Sequence, residues 1–260
     1  MSWVGVTPYL CVAMKKIVFL LALAGLWACQ PGGYHVASRT ASLTIIDSAA
    51  APADSSVARF LTPYRQKMNS TMNEVLTRST GRIEKKPIDG PLNELLTDAL
   101  LQQAAQRYGK PLDVSHLNYG GIRNNLPAGD ITTGSIFEVM PFDNQLVVLT
   151  MTGDMLKQLL DHFTKGDKLV VGGLRAKIRN GQVQDVTFTN GRTLQPNETY
   201  TVALSDYVAD GGDNAVFLKD AVKRENINYL IRDALIDYFR QQGKTGQPIK
   251  PVSDGRIATE

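Results

Sequence analysis

The chain has 260 residues, 43% hydrophobic and 20% charged, with 28 basic against 25 acidic side chains and a formal net charge of +3. That balance excludes an intrinsically disordered chain and leaves no cationic surplus from which to argue nucleic-acid binding. With only two cysteines, Cys11 and Cys29, it also excludes a disulfide-stapled scaffold, so stability must come from packing.

The N-terminus reads as a targeting segment. Lys15-Lys16 is a basic start, Ile17 to Leu26 is a ten-residue apolar run, and Leu26-Trp27-Ala28-Cys29 stands where cleavage falls. A membrane-spanning helix needs about 20 residues, so the run is too short for one. With Leu26 and Ala28 before it, Cys29 resembles the lipobox of bacterial lipoproteins; a plain secretory signal is the alternative. The expectation is a signal peptide over 1–28, starting in effect at Met14, with lipid on Cys29. That places the chain in the bacterial cell envelope, anchored to the outer membrane and facing the periplasm. Removing 1–28 takes away Lys15 and Lys16 and no acid, so 232 residues remain with a net charge of +1 and one cysteine. A chain of that size buries roughly 70% of its unfolded surface.

Residues 29–41 read as a tether, with Pro31, Gly32 and Gly33 and no apolar periodicity. Asp54 or Ser55 caps a helix through about Asn69, with Val57, Phe60, Leu61 and Tyr64 on one face. Thr71 to Ile83 reads as extended. Pro91 to Tyr108 is the clearest helix: Leu92, Leu95, Leu96, Ala99 and Leu100 recur at helical spacing and Gly109 ends it. Asp113 to Leu117 is a short strand, Thr132 or Thr133 caps a helix through Val139, and Gln145 to Met151 is a strand. Gly153 to Phe163 is an amphipathic helix, and Asn180-Gly181 and Asn190-Gly191 mark hairpin turns between short strands. Thr199 to Leu204 is a further strand, Asn226 to Gln241 is the last helix, and 246–260 is a tail. Mixed hairpins and helices give one α+β domain over 42–245.

Two strands run straight into glycine-rich turns that carry aromatic and charged residues: Asn118-Tyr119-Gly120-Gly121-Ile122-Arg123 and Asp206-Tyr207-Val208-Ala209-Asp210-Gly211-Gly212-Asp213. Turns at the ends of strands gather at one rim of a sheet, where ligand sites commonly lie. Arg123 offers a planar fork for phosphate or carboxylate, and Asn118 both donates and accepts, as a base edge requires. Phe142 and Tyr207 offer flat faces, and Asp213 an acceptor for a sugar diol. Gly243-Lys244-Thr245 is no phosphate loop, because the upstream glycine and strand are missing. Asp206 to Phe217 is no calcium loop, because Val208 and Phe217 occupy ligand positions.

Those two segments, with Gly129-Asp130-Ile131-Thr132, Met140-Pro141-Phe142-Asp143-Asn144 and Met151-Thr152-Gly153 between them in order, resemble the C-terminal substrate-binding domain of the 5'-nucleotidase and UDP-sugar hydrolase family. The resemblance covers roughly Ser42 to Gln241 and implies helices flanking mixed sheets in α/β/β/α layers. It also implies a base held between Phe142 and Tyr207, ribose on Asp213, phosphate on Arg123, and polar base contacts from Asn118 and Asn144. Gly120, Gly121 and Gly212 would let backbone approach the ligand. A family arginine expected just before the Pro91 helix is replaced by Pro87-Ile88-Asp89-Gly90, with Lys85 or Lys86 as substitutes. The family's two-metal chemistry belongs to a metallophosphoesterase domain whose histidine motifs do not occur around His35, His116 or His162. The expectation is therefore a binding chain without catalytic residues or bound metal, serving a separate metallophosphoesterase that brings the divalent metals. A non-catalytic lipoprotein that captures nucleosides or nucleotide sugars is the alternative.

Overall fold

In the computed structural model, residues 54–166 and 168–259 are described, together with Lys16, Arg39 and 41–43. The chain divides into two units, Met1–Asp54 and Ser55–Glu260, and the fold belongs to the second. The expected signal peptide, Cys29 as its expected lipidation site and most of the expected tether lie outside the described residues. No described helix is long and apolar enough to cross a membrane.

Helix α1 (Ser55–Met72) runs three residues past the expected end, and Val57, Phe60, Leu61 and Tyr64 are exposed. Strand β1 (Val75–Ser79) follows, then α2 (Pro91–Tyr108), with Pro91 at the helix start and Gly109 closing it at φ 77°. Strand β2 (Val114–His116) leads into a 3₁₀ turn at Tyr119–Gly121. After β3 (Gly129–Thr132) comes α3 (Thr133–Val139), capped by Thr132 and not Thr133, in a reciprocal box with Ser135. Strand β4 (Gln145–Thr152) leads to α4 (Gly153–Thr164), capped by the Thr152 hydroxyl. Strands β5 (Val171–Gly172), β6 (Leu174–Arg179), β7 (Gln182–Phe188) and β8 (Thr199–Ser205) precede a single turn of helix, α5 (Asp206–Ala209). Strand β9 (Lys223–Leu230), α6 (Ile231–Lys244) and β10 (Ile257–Thr259) complete the order.

The principal sheet has the order β5-β2-β8-β4-β9, with β2 parallel to β8 and the other pairings antiparallel. Its strands alternate between two cores, as period-2 geometry requires. Val147, Leu149, Met151, Tyr200, Val202 and Leu204 share one core with Leu156, Leu159, Leu160 and Phe163 of α4 and with the β6–β7–β10 sheet. Leu146 and Ala203 join the other, with Leu92, Leu96 and Leu100 of α2 and Leu235 and Phe239 of α6. A two-stranded sheet, β1–β3, completes the mixed α+β layering that the sequence predicts.

Two expectations are corrected. Residues 226–230 are not the start of the last helix; they belong to β9, paired with β4 along the sheet edge, and the helix begins at Ile231. Segment 246–260 is not a free tail, because β10 pairs in parallel with β6. The Arg256 guanidinium, only 8% exposed, binds both oxygens of Asp98 at 2.6 and 2.8 Å. Beside it the Ser253 hydroxyl and the Asp254 amide donate to the two oxygens of buried Glu94, at 2.5 and 2.9 Å.

Burial, and then the neighbouring Asp89 carboxyl, push Glu94 up to about 7 against the pull of Ser253 and Asp254. A carboxyl whose folded value is raised binds more protons in the native state. Its contribution to stability is therefore full below about pH 4.5 and lost as pH rises through about 7. Urea unfolding at pH 5 and pH 8 is expected to show Glu94→Gln gaining stability relative to the parent as pH rises. A constant difference between the two proteins would contradict the assignment.

Candidate functional site

The site exists because of strand order. Strands β2 and β8 are parallel neighbours, Val114 opposite Val202 and Ser115 opposite Ala203, so the turns that follow them emerge at the same rim. Strand β4 runs antiparallel to β8 with Leu146 opposite Ser205, which brings Phe142 and Asn144, just before β4, to that rim too. The pairing of Gln145 with Leu230 adds the first turn of α6.

Asn118, Gly120, Gly121, Arg123, Phe142, Asn144, Tyr207 and Asp213 border one cavity of about 300 Å³. These are eight of the nine ligand residues expected from sequence. The ninth, Gly212, lies under the Tyr207 ring: a Cβ there would stand 2.6 Å from two ring carbons and 2.5 Å from the Tyr207 carbonyl. Its role is to seat that ring rather than to face the cavity. Gly121 is similarly close to a side chain, since a Cβ would meet Asn118 Oδ1 at 2.7 Å.

Each wall has a visible cause. Phe142 is half-buried, and Arg232, at the start of α6, holds its loop from behind. The Arg232 guanidinium donates to the Phe142 carbonyl at 3.2 Å and to Asp143 at 2.5 Å, and its plane lies 4.2 Å from the Phe137 ring centre. On the cavity side the Arg123 guanidinium lies 5.0 Å from the centre of the Phe142 ring. Tyr207 is 46% exposed, and its hydroxyl does what a phenylalanine could not. It donates to Asp213 Oδ1 at 3.0 Å and accepts from the Asp213 amide at 3.2 Å. That clasp holds a turn in which Asp213 and Asn214 have φ of 51° and 63°.

His162 supports the same turn: its Nε2 donates to the Asp213 carbonyl at 2.9 Å. It leans edge-on against Phe163 and Phe217. No sequence signal links positions 51 residues apart. His116 is a core residue, fully buried, with Nδ1 3.0 Å from the Val170 carbonyl and burial pushing its pKa down to about 4. Of the two lysines left open as substitutes for the missing arginine, Lys85 stands next to Arg123. Its Nζ donates to the Tyr119 and Ile122 carbonyls at 3.3 and 2.8 Å and lies 4.0 Å over the Tyr119 ring. Burial, and then the charge of Arg123, hold it below the usual lysine range.

The donor set suits an organic ligand and not a metal. Its one carboxylate, Asp213, is already bound to Tyr207 and shares the cavity with a guanidinium. Among the described residues the one cluster of metal-type donors is Asp89, Glu94 and Asp254, whose oxygens fasten the C-terminal segment elsewhere.

A mixed-sheet domain with an aromatic-walled, amide-lined cavity at one sheet rim has the form that small-molecule sites commonly take. Residues 68–220 match the sequence model of the 5'-nucleotidase C-terminal domain, and the chain belongs to that family. A 5'-nucleotidase of Vibrio vulnificus is 28% identical over 196 residues, covering 72% of this chain and 34% of its own length. An apyrase of Tabanus yao is 26% identical over 211 residues, covering 70% and 36%. Among solved structures, a 5'-nucleotidase precursor of Thermus thermophilus superposes with a TM-score of 0.67 at 27% identity, over 81% of this chain and 44% of that one. The chain thus spans about a third of the length of the Vibrio and Tabanus relatives.

Proposed function

We propose that this chain is the nucleotide- or nucleoside-binding part of a split 5'-nucleotidase-type phosphohydrolase. The observation that carries the reading is the convergence of residues from three separate segments, 118–123, 142–144 and 207–213, on one cavity. In this reading the base enters between Phe142 and Tyr207, and the side-chain amides of Asn118 and Asn144 meet its edge. Asp213, fixed by Tyr207 and His162, accepts from the ribose, and Arg123 with Lys85 takes the phosphate. Those two side-chain amides make no hydrogen bond to another described residue, which leaves their donors and acceptors for a ligand. A separate metallophosphoesterase supplies the metals that activate water. The lipid on Cys29 holds the chain at the periplasmic face of the outer membrane, where nucleotides are broken down for salvage.

The test has two arms. The full chain is expected to be stabilised against heat by members of a panel of nucleosides, nucleotides and nucleotide sugars, while releasing no phosphate from them with divalent metals added. Rapid metal-dependent turnover by the chain alone would reject the split. Tight binding without capture of a phosphatase from envelope extracts would favour the capture role instead.

A further inference from the structure

Helix α1 is unlike the other helices of the domain. Helices α2 to α6 each bury side chains, whereas α1 buries none over its 18 residues. Yet it is not polar all round. Phe60, Leu61, Tyr64 and Met68 fall at the spacing that puts them on one face of a helix. They stand 68%, 40%, 65% and 56% exposed, and the Phe60 and Tyr64 rings lie 5.7 Å apart between centres. Scattered apolar residues on a surface need no explanation, but a continuous stripe of them marks a place where something docks.

The charges indicate what covers it. Helix α1 carries Arg59, Arg65 and Lys67 and no carboxylate, while α2, α4 and α6 each mix acids with bases. Among the described residues none of the three cations is ion-paired. At 3.6 residues per turn, Lys67 falls about 20° outside Phe60 and Arg65 about 40° outside Leu61, on opposite edges of the stripe. The apolar face is thus bordered by a cation on each side. A symmetric pair of copies would bring these cations against their own equivalents, which is repulsive. An anionic bilayer surface answers both features at once. Acyl chains take the apolar face, and the long Lys and Arg stems reach back to the lipid phosphates.

We propose that α1 is an interfacial helix that lies along a membrane surface bearing anionic phospholipid, with Phe60, Leu61, Tyr64 and Met68 in the acyl boundary. It is the first described element after Cys29, and Ser55 stands 26 positions beyond that residue. Held near the bilayer by the anchor proposed there, the helix needs little affinity of its own. Two attachments fix how the domain lies on the membrane, where one would let it swing. The inference is independent of the nucleotide reading of the cavity.

Hydrogen exchange on the full chain reads α1 directly. The probes are vesicles of phosphatidylcholine and phosphatidylglycerol in equal parts, and of phosphatidylcholine alone; the apolar run at 17–26 meets both alike. Amides of 55–72 are expected to be protected on the anionic vesicles, with Arg65 and Lys67 supplying about a 30-fold preference over the neutral ones. In R65Q/K67Q that preference is expected to vanish, and in the parent chain high salt is expected to shrink it. F60A/L61A/Y64A/M68A is expected to lose the protection while unfolding at the parent's temperature, since none of the four side chains is buried. Exchange in 55–72 that anionic vesicles leave unchanged would overturn the proposal. Protection that appears without lipid as protein concentration rises would overturn it too, by assigning the face to a second copy.

Discussion

Replacing Phe142 or Tyr207 with alanine is expected to weaken nucleoside binding by about 1–3 kcal/mol each, the range for removing one aromatic face from a stacked base. That corresponds to roughly 5- to 150-fold in Kd, readable by calorimetry. The two losses have different sources. At Phe142 the loss is that of the ring, its stacking face and its contact with Arg123, while Arg232 keeps its hydrogen bonds to the 142 carbonyl and to Asp143. At Tyr207 alanine also removes the hydroxyl that binds Asp213 twice, so the turn at 213–214 loses its clasp. Tyr207→Phe separates these: it keeps the ring and is expected to retain base affinity while losing preference for a ribonucleoside over a free base. Unchanged affinity in both alanine variants would remove the stacked-base reading.

Gly243→Ala is expected to lower the stability of the domain by about 1–3 kcal/mol, the usual cost of forcing atoms into a packed region. The added methyl would stand 1.9 Å from the Leu76 carbonyl oxygen. That obstacle is backbone in β1, between Val75 and Thr77, which pair with Thr132 and Ile131 of β3, and it cannot swing aside as a side chain could. Alanine gains at most about 1 kcal/mol over glycine in a helix interior, and less near an end, so the clash decides the sign. Thermal or urea unfolding reads the difference. Gly120→Ala is the control for stability: nothing lies within 4 Å of its methyl, and it is expected to unfold with the parent. The tripeptide Gly243-Lys244-Thr245, which looks like a fragment of a phosphate loop, thus owes its glycine to the contact of α6 with β1.

The residues that border the cavity were legible because each sits in a short segment whose chemistry is local. Asn118 to Arg123 and Tyr207 to Asp213 announce themselves by glycines beside aromatic and charged groups. What joins them, the parallel pairing of β2 with β8 across 88 residues, is not a local signal. Helix α2 was legible for the same reason, with Pro91 and Gly109 as its own boundary marks. The misreading of 226–230 shows the limit. Ile227 and Leu230 fall at helical spacing from Ile231 and Ala234, yet Ile227 and Tyr229 also alternate as a strand does, and pairing with β4 decided between them. Segment 246–260 looked like a tail because its attachments are ionic and distant, Arg256 to Asp98 and Ser253 to Glu94. The clasp on Asp213 by His162 is distant in the same way.

Because β4 and β8 are hydrogen-bonded neighbours, with Leu146 opposite Ser205, the gap between the loop before β4 and the turn after β8 is ruled by interstrand spacing, about 4.8 Å, and not by loop flexibility. A single residue inserted within β8 would shift its register and turn every later side chain to the opposite face. Tyr207 would then be carried away from Phe142 even if both hydrophobic cores re-formed, whereas lengthening the loop at 190–191 would leave the aromatic pair in place. The sheet is the gauge to which the cavity is cut.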